Sequence, residues 1–302
     1  MTLLATVDIA GVTICLSGDP DIRVQETGSA MQAFFRHRPS SPPATAAHVH
    51  ITICREPMPE REAGLVKCFD SRQAWSLWTS TTRNVLQLQP PGVATPLWRL
   101  SADHRFIEGR LHCHEDFWQE TSSKVVLRNP IHYPLDQILV MLRLARQSGI
   151  ILHAAGAIVN GRGYLFPGKS GAGKSTLASL LAADARITLL SDDRMIVRRV
   201  NDGWMAYGTP WPGDAGIAAN IGVPLAGVFF LNKSEDTAAT ELTPGEALVK
   251  LLPVVSIPLF DRTPGDAVLS TCGALSAQVP MSDFMFTPRV DALVHLMRLM
   301  GA

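Results

Sequence analysis

Gly168-Lys169-Ser170-Gly171-Ala172-Gly173-Lys174-Ser175 fits the phosphate-loop pattern G-x-x-x-x-G-K-[ST] at every fixed position. Its surroundings agree with the pattern. Gly163-Tyr164-Leu165-Phe166-Pro167 reads as a short apolar strand leading in, and Leu177, Leu180 and Leu181 share one face of a helix that begins near Lys174. A polyphosphate must be held by backbone N–H groups that point inward, which demands unusual dihedrals and no Cβ in the way. Gly168, Gly171 and Gly173 meet that demand. The helix N-terminus adds the positive end of its dipole. Lys174 is placed to bridge the β- and γ-phosphates, and the Ser175 hydroxyl to ligate the magnesium ion that accompanies ATP. The expected nucleotide contacts are therefore Gly168, Lys169, Ser170, Gly171, Ala172, Gly173, Lys174, Ser175 and Thr176, with ATP and Mg2+ as cofactors.

Composition sets the frame. The chain has 302 residues, 46% of them hydrophobic and 18% charged, a balance that suits globular folding into one large or two ordinary domains. Lys+Arg and Asp+Glu are equal at 27 each, so no overall field favours nucleic acid or an anionic membrane. No apolar run reaches the roughly 18 to 20 residues of a membrane span, and Arg23 comes too late for the charged start of a signal peptide. A cytoplasmic protein is expected. Cys15, Cys54, Cys68, Cys113 and Cys272 are scattered without C-x-x-C spacing, which argues against a disulfide framework or a structural zinc site. In His112-Cys113-His114-Glu115 the alternation of a strand lets at most His112 and His114 share a ligand sphere, and the segment reads as an ordinary polar strand face.

Along the chain, residues 1–130 read as a β-rich domain and 131–302 as a nucleotide-binding domain, giving an α/β (α+β) chain. Val12, Ile14 and Leu16 alternate with polar or small residues, as do Val49, Ile51 and Ile53, and 85–88 and 106–111 are further strand candidates. An antiparallel, half-buried sheet is expected, with 39–43 as a loop and Pro90-Pro91-Gly92 as a turn. A helix is expected over 134–148, opened by proline and followed by Gly149. Strands are expected at 150–153, 157–159 and 187–190, a hairpin at 195–207 around Asn201-Asp202-Gly203, a buried strand at 225–231, and helices over 244–252 and 290–299.

Ile187-Thr188-Leu189-Leu190 ends in Ser191-Asp192-Asp193, an apolar strand delivering carboxylates soon after the glycine loop. Phosphoryl transfer needs such groups, to hold the metal directly or through water and to take a proton from the acceptor.

His153-Ala154-Ala155-Gly156, the stretch 168–176 and Leu190-Ser191-Asp192-Asp193-Arg194 together resemble the catalytic domain of HPr serine kinase/phosphorylase and its HPr-kinase-like relatives, which share a fold with phosphoenolpyruvate carboxykinases. The resemblance covers residues 150–200 well and extends more weakly to about 220 through Gly208-Thr209-Pro210-Trp211-Pro212-Gly213-Asp214. It implies that His153 meets phosphate or a catalytic carboxylate, that Lys174 and Ser175 serve the nucleotide, that Asp193 accepts the proton of the substrate hydroxyl, and that Asp192 is its metal partner. Asp214 is the nearest acidic residue to the position of the family's metal-binding glutamate. The basic, glycine-rich acceptor loop of true HPr kinases is not recognisable between Pro253 and Ala302, and Arg262 alone stands in about the region of the catalytic arginine.

The leading expectation is an Mg-ATP-dependent kinase that transfers the γ-phosphoryl group to a hydroxyl, a serine of a small protein or peptide, with Trp211 to Gly216 as one wall of the acceptor groove. An ATPase or nucleotide-gated regulator whose β-rich half recognises a partner is the alternative; a small-molecule kinase or carboxykinase-like enzyme is a third. A homo-oligomer is compatible with each.

Overall fold

The computed structural model describes residues 1–39, 47–60, 63–120, 124–169, 171–287 and 290–301. They form two compact units, Met1–Arg143 and Leu144–Ala302, so the division falls inside a helix and beyond the expected boundary at 130/131.

The first unit is strand-rich: β1 (Thr2–Ile9), β2 (Val12–Gly18), β3 (Ile22–Gln25), β4 (Phe35–His37), β5 (Ala47–Cys54), β6 (Val66–Asp70), β7 (Trp75–Thr79), β8 (Asn84–Leu88), β9 (Trp98–Ala102), β10 (Glu108–Cys113), β11 (Trp118–Glu120) and β12 (Val125–Arg128). Among the described residues they build a nine-stranded sheet, β4-β1-β2-β5-β10-β9-β8-β7-β6, and a three-stranded one, β11-β12-β3. The large sheet is mixed, a correction to the antiparallel expectation. β5 runs parallel to both β2 and β10, neither of which adjoins it in sequence. Alternation marks a residue as strand without naming its partner, so direction was not readable from it. The strand expected over 106–111 begins two residues later, because Phe106 sits at φ 51 in a turn where the Asp103 carboxylate accepts the N–H groups of Arg105, Ile107 and Glu108. Residues 40–43 of the expected loop lie outside the described residues.

Helix α1 (Leu135–Ala145) spans the division. It ends before the expected 148, and Ser148, rather than Gly149, takes the left-handed position at φ 50. The second unit continues with β13 (Gly149–Val159), β14 (Arg162–Pro167), α2 (Lys174–Ala182), β15 (Thr188–Ser191), β16 (Arg194–Val200), β17 (Gly203–Tyr207), β18 (Gly222–Lys233), β19 (Ala238–Glu241), α3 (Pro244–Leu251), α4 (Arg262–Gln278), β20 (Met281–Phe286) and α5 (Val290–Leu299). The strands expected at 150–153 and 157–159 are one strand. Between them, Gly156 keeps the backbone close to β16, where a Cβ would fall 2.6 Å from the Met195 side chain. The first half of β13 pairs with β16, and its second half with β14 and β15. Likewise β18 pairs with β17 near its start and with β14 and β20 farther along, so these long strands change partners along their length within one eight-stranded sheet.

Period-2 alternation then distributes side chains to two cores. Leu165 of β14 joins Leu152, Val228 and Phe230 against α3 and α4, whereas its neighbours Tyr164 and Phe166 join Phe229, Leu231 and Phe284 against α2 and α5. Helices thus cover both faces of a mixed sheet, an α/β arrangement. Helix α3 starts where the sequence placed it, at a Thr243/Glu246 capping box followed by Pro244. Helix α4 and strand β20 were not anticipated. In α4 Pro264, Gly265 and Gly273 interrupt a weak apolar stripe, and its start is fixed by the Asp261 side chain accepting from the Thr263 N–H. No helix among the described residues is long and apolar enough to cross a membrane.

Candidate functional site

The middle of β13 sets the site. Ala154 stands opposite Pro167, the last residue of β14, while His153 stands opposite Arg194, the first of β16. The start of the glycine loop and the end of the Asp192-Asp193 turn therefore converge on adjacent positions of one strand. The Ala154 N–H donates to the Asp193 carbonyl at 2.9 Å, fixing that turn to the same point.

The loop has the conformation its glycines allow. Gly171 and Gly173 have φ of 81° and 103°, in the left-handed region that disfavours side chains. A Cβ on Gly173 would lie 2.8 Å from the Phe286 ring, and one on Gly168 would lie 2.8 Å from the Ala172 Cβ. Gly173 precedes α2 without a side-chain cap, which leaves the first N–H groups of that helix to other acceptors. Ser175 and Thr176 are exposed on its first turn, Lys169 is exposed and Gly168 buried. Ser170 lies outside the described residues. Lys174 is buried, and its Nζ donates to the loop's own carbonyls, Gly168 O at 2.8 Å and Lys169 O at 3.3 Å. Burial pushes this ammonium below the ordinary lysine range, the Asp193 charge pulls it back up and Arg194 opposes that pull.

Asp193 is half-buried and held from two sides. Its Oδ1 pairs with His153 Nε2 at 2.9 Å, and its Oδ2 accepts from Arg194 Nε at 3.2 Å. The bond from His153 leads the effects that hold its carboxyl below the usual range, against burial and with the help of the Arg194 charge. Arg194 extends to Ser256 Oγ at 3.5 Å, and its carbonyl accepts from Thr209 Oγ1 at 2.6 Å.

Asp192 does different work from its neighbour. It is 3% exposed, and its carboxylate accepts the backbone N–H groups of Gly213 (2.9 Å), Ala215 (2.8 Å) and Ile217 (3.3 Å). Most of a carboxylate's roughly four lone-pair directions are spent on this loop. Through these bonds Asp192 anchors the segment 213–217. Asp214 rides exposed on that segment, Trp211 before it is buried, and Gly213 packs against the aspartate pair, where a Cβ would lie 3.0 Å from Asp192 Oδ2. Arg262 is exposed at the start of α4 and pairs with Asp266 at 3.4 Å.

A cavity of about 490 Å³ opens beside the loop, lined by Gly168, Lys169 and Gly171 on one side and by Asn232, Lys233 and Lys250 among others on the facing side. Lys250 Nζ and Asn232 Nδ2 both meet Asp283 Oδ1, at 2.9 and 3.0 Å. This wall escaped the sequence reading because Asp283 belongs to β20, which was not anticipated. Among the described residues, neither His153 nor Asp193 lines the cavity.

A family model described as SynChlorMet cassette protein ScmC matches residues 131–257. Among solved structures, the Hpr(Ser) kinase/phosphatase from Coxiella burnetii is similar at 14% identity, with 50% of this chain and 93% of that chain covered and a TM-score of 0.29. No curated protein matches the chain.

Proposed function

We propose that the Leu144–Ala302 unit is an Mg-ATP-dependent kinase of HPr-kinase-like, P-loop architecture, acting in the cytoplasm on a serine hydroxyl of a small protein or peptide. One observation supports the reading: Asp193, gripped by His153 and Arg194, precedes the residue paired with His153 of β13, next to Ala154, which pairs with the residue that leads into the glycine loop.

The residues fit the nucleotide. Lys174, the N–H groups of the loop and the uncapped start of α2 form an anion cradle beside a cavity large enough for a nucleoside. For the metal, Ser175 on the first turn and Asp214 on the anchored segment are exposed, and Asp192 would bring to it the lone-pair direction that its three backbone bonds leave. Bound Mg-ATP would supply the phosphoryl group and neutralise its charge. Lys174 would exchange the carbonyls of Gly168 and Lys169 for phosphate oxygens. Asp193 would accept the hydrogen bond of the incoming hydroxyl and orient its oxygen. Held below the usual carboxylate range, it is a weak base, which suffices because phosphoryl transfer through a loose transition state asks chiefly for alignment. His153 fixes the carboxylate plane through Oδ1.

Calorimetry and transfer of labelled phosphate test this together. Lys174→Ala should remove ATP uptake in the presence of magnesium, whereas Asp193→Asn should keep uptake and abolish transfer. Retained transfer in Asp193→Asn, or no uptake by the wild-type chain, refutes the reading. A nucleotide-gated regulator without transfer is the second reading, favoured by the bonds of Lys174 to its own loop, which an arriving phosphate would have to replace; it predicts uptake by wild type with no phosphorylated acceptor.

A further inference from the structure

Within the Met1–Arg143 unit, three side chains of metal-ligating type meet where β5 and β10 end. The two strands run parallel, with His112 directly opposite Cys54, so both side chains leave the same face of the sheet. Glu56 lies two residues beyond the end of β5, in the bend that follows it. The Cys54 Sγ, a Glu56 carboxylate oxygen and a His112 ring nitrogen all lie within 4.8 Å of one another. Cys54 is buried, His112 half-buried and Glu56 exposed, so the group runs from the interior out to solvent.

We propose that Cys54, Glu56 and His112 bind a zinc-class divalent cation, with three protein ligands and one coordination position open to solvent. Sulfur, imidazole nitrogen and carboxylate oxygen are the donors zinc accepts, and a thiolate in the set disfavours magnesium and calcium. Charge balances as well: an ionised Cys54 and Glu56 with a neutral His112 carry two negative charges against the ion's two positive ones. Arg110, two residue pairs farther back opposite Thr52, leaves the same face of the sheet as His112. The ion would clip the end of β5 to that of β10, strands far apart in the chain. The partner that faces His112 comes from across a parallel ladder and not from the neighbouring His114.

The full chain, stripped by chelator and freed of nucleotide, is titrated with zinc against a chromophoric competitor, and separately with cobalt. Wild type should hold one zinc per chain, and its cobalt form should display a thiolate-to-cobalt charge-transfer band. Loss even of an outer-sphere partner costs about 10–100-fold in metal affinity, so Glu56→Gln and His112→Gln should each weaken zinc by about 100-fold or more. Cys54→Ser should abolish the cobalt band; should that variant fail to fold, the pair of exposed and half-exposed substitutions decides. Failure of wild type to retain one zinc, or zinc affinity unchanged in Glu56→Gln and His112→Gln, overturns the proposal.

Discussion

Replacing Asp192 separates two jobs that one sequence position could hold. In the structure its carboxylate receives the N–H groups of Gly213, Ala215 and Ile217 at 2.9, 2.8 and 3.3 Å from a position 3% exposed. A hydrogen bond to a charged acceptor contributes about 1.5–3 kcal/mol net, and the third contact is too long to count in full. Ala215 is exposed and the other two amides half-exposed, so water recovers part of the loss when the carboxylate is removed. Asp192→Ala should therefore destabilise the Leu144–Ala302 unit by about 2–4 kcal/mol, a drop of roughly 4–16 °C in Tm for a unit of this size. Asp192→Asn keeps an oxygen for two of the amides but turns an NH2 toward the third, and should cost about half as much. Thermal unfolding and amide exchange at 213–217, both without nucleotide or magnesium, provide the assay. If Asp192 were a metal ligand alone, its substitution would leave the ion-free protein untouched. Unfolding within about 0.5 kcal/mol of wild type, with Gly213, Ala215 and Ile217 exchanging at their native rates, refutes the anchoring role.

Gly173→Ala combines a left-handed φ of 103° with a Cβ 2.8 Å from the Phe286 ring, whereas Gly161→Ala meets φ 74° in open space. The dihedral costs about 1–2 kcal/mol in each, so Gly173→Ala should lower Tm further than Gly161→Ala, and equal Tm values would remove Phe286 as the constraint. Asp193 should titrate below the free-aspartate midpoint by carboxyl NMR and move up in His153→Ala, which loses the leading donor. A depressed carboxylate pKa contributes stability that is present above the unfolded value and lost as pH falls through the folded one; His153→Ala should therefore lose less stability on acidification than wild type, and an unchanged Asp193 midpoint would discount the bond.

What could be read from the sequence was what local spacing encodes. The glycine loop needs left-handed backbone and room for Phe286, and both demands are met by Gly171 and Gly173 in a contiguous pattern. The strand before the loop, the helix after it and the hairpin at Asn201-Asp202-Gly203 follow from the same local rules. Asp192 and Asp193 look alike in the chain, and nothing local separates them. Their roles diverge through what each meets in the turn between β15 and β16: one meets a loop that returns from 213–217, and the other meets His153 of β13. The Cys54–His112 adjacency is hidden for a related reason, since the register of two parallel strands is set by the whole sheet and not by either strand.

Asp193 and Lys174 also explain why the resting loop can be closed on itself without being frozen. Burial weakens the Lys174 ammonium's claim to its charge, and the neutral carbonyls of Gly168 and Lys169 satisfy it only partly. Asp193 pulls on that charge, while His153 and Arg194 bond its two oxygens. An arriving phosphate offers what the loop carbonyls do not: full negative charge on oxygens free to bond, and so a stronger partner for the same ammonium.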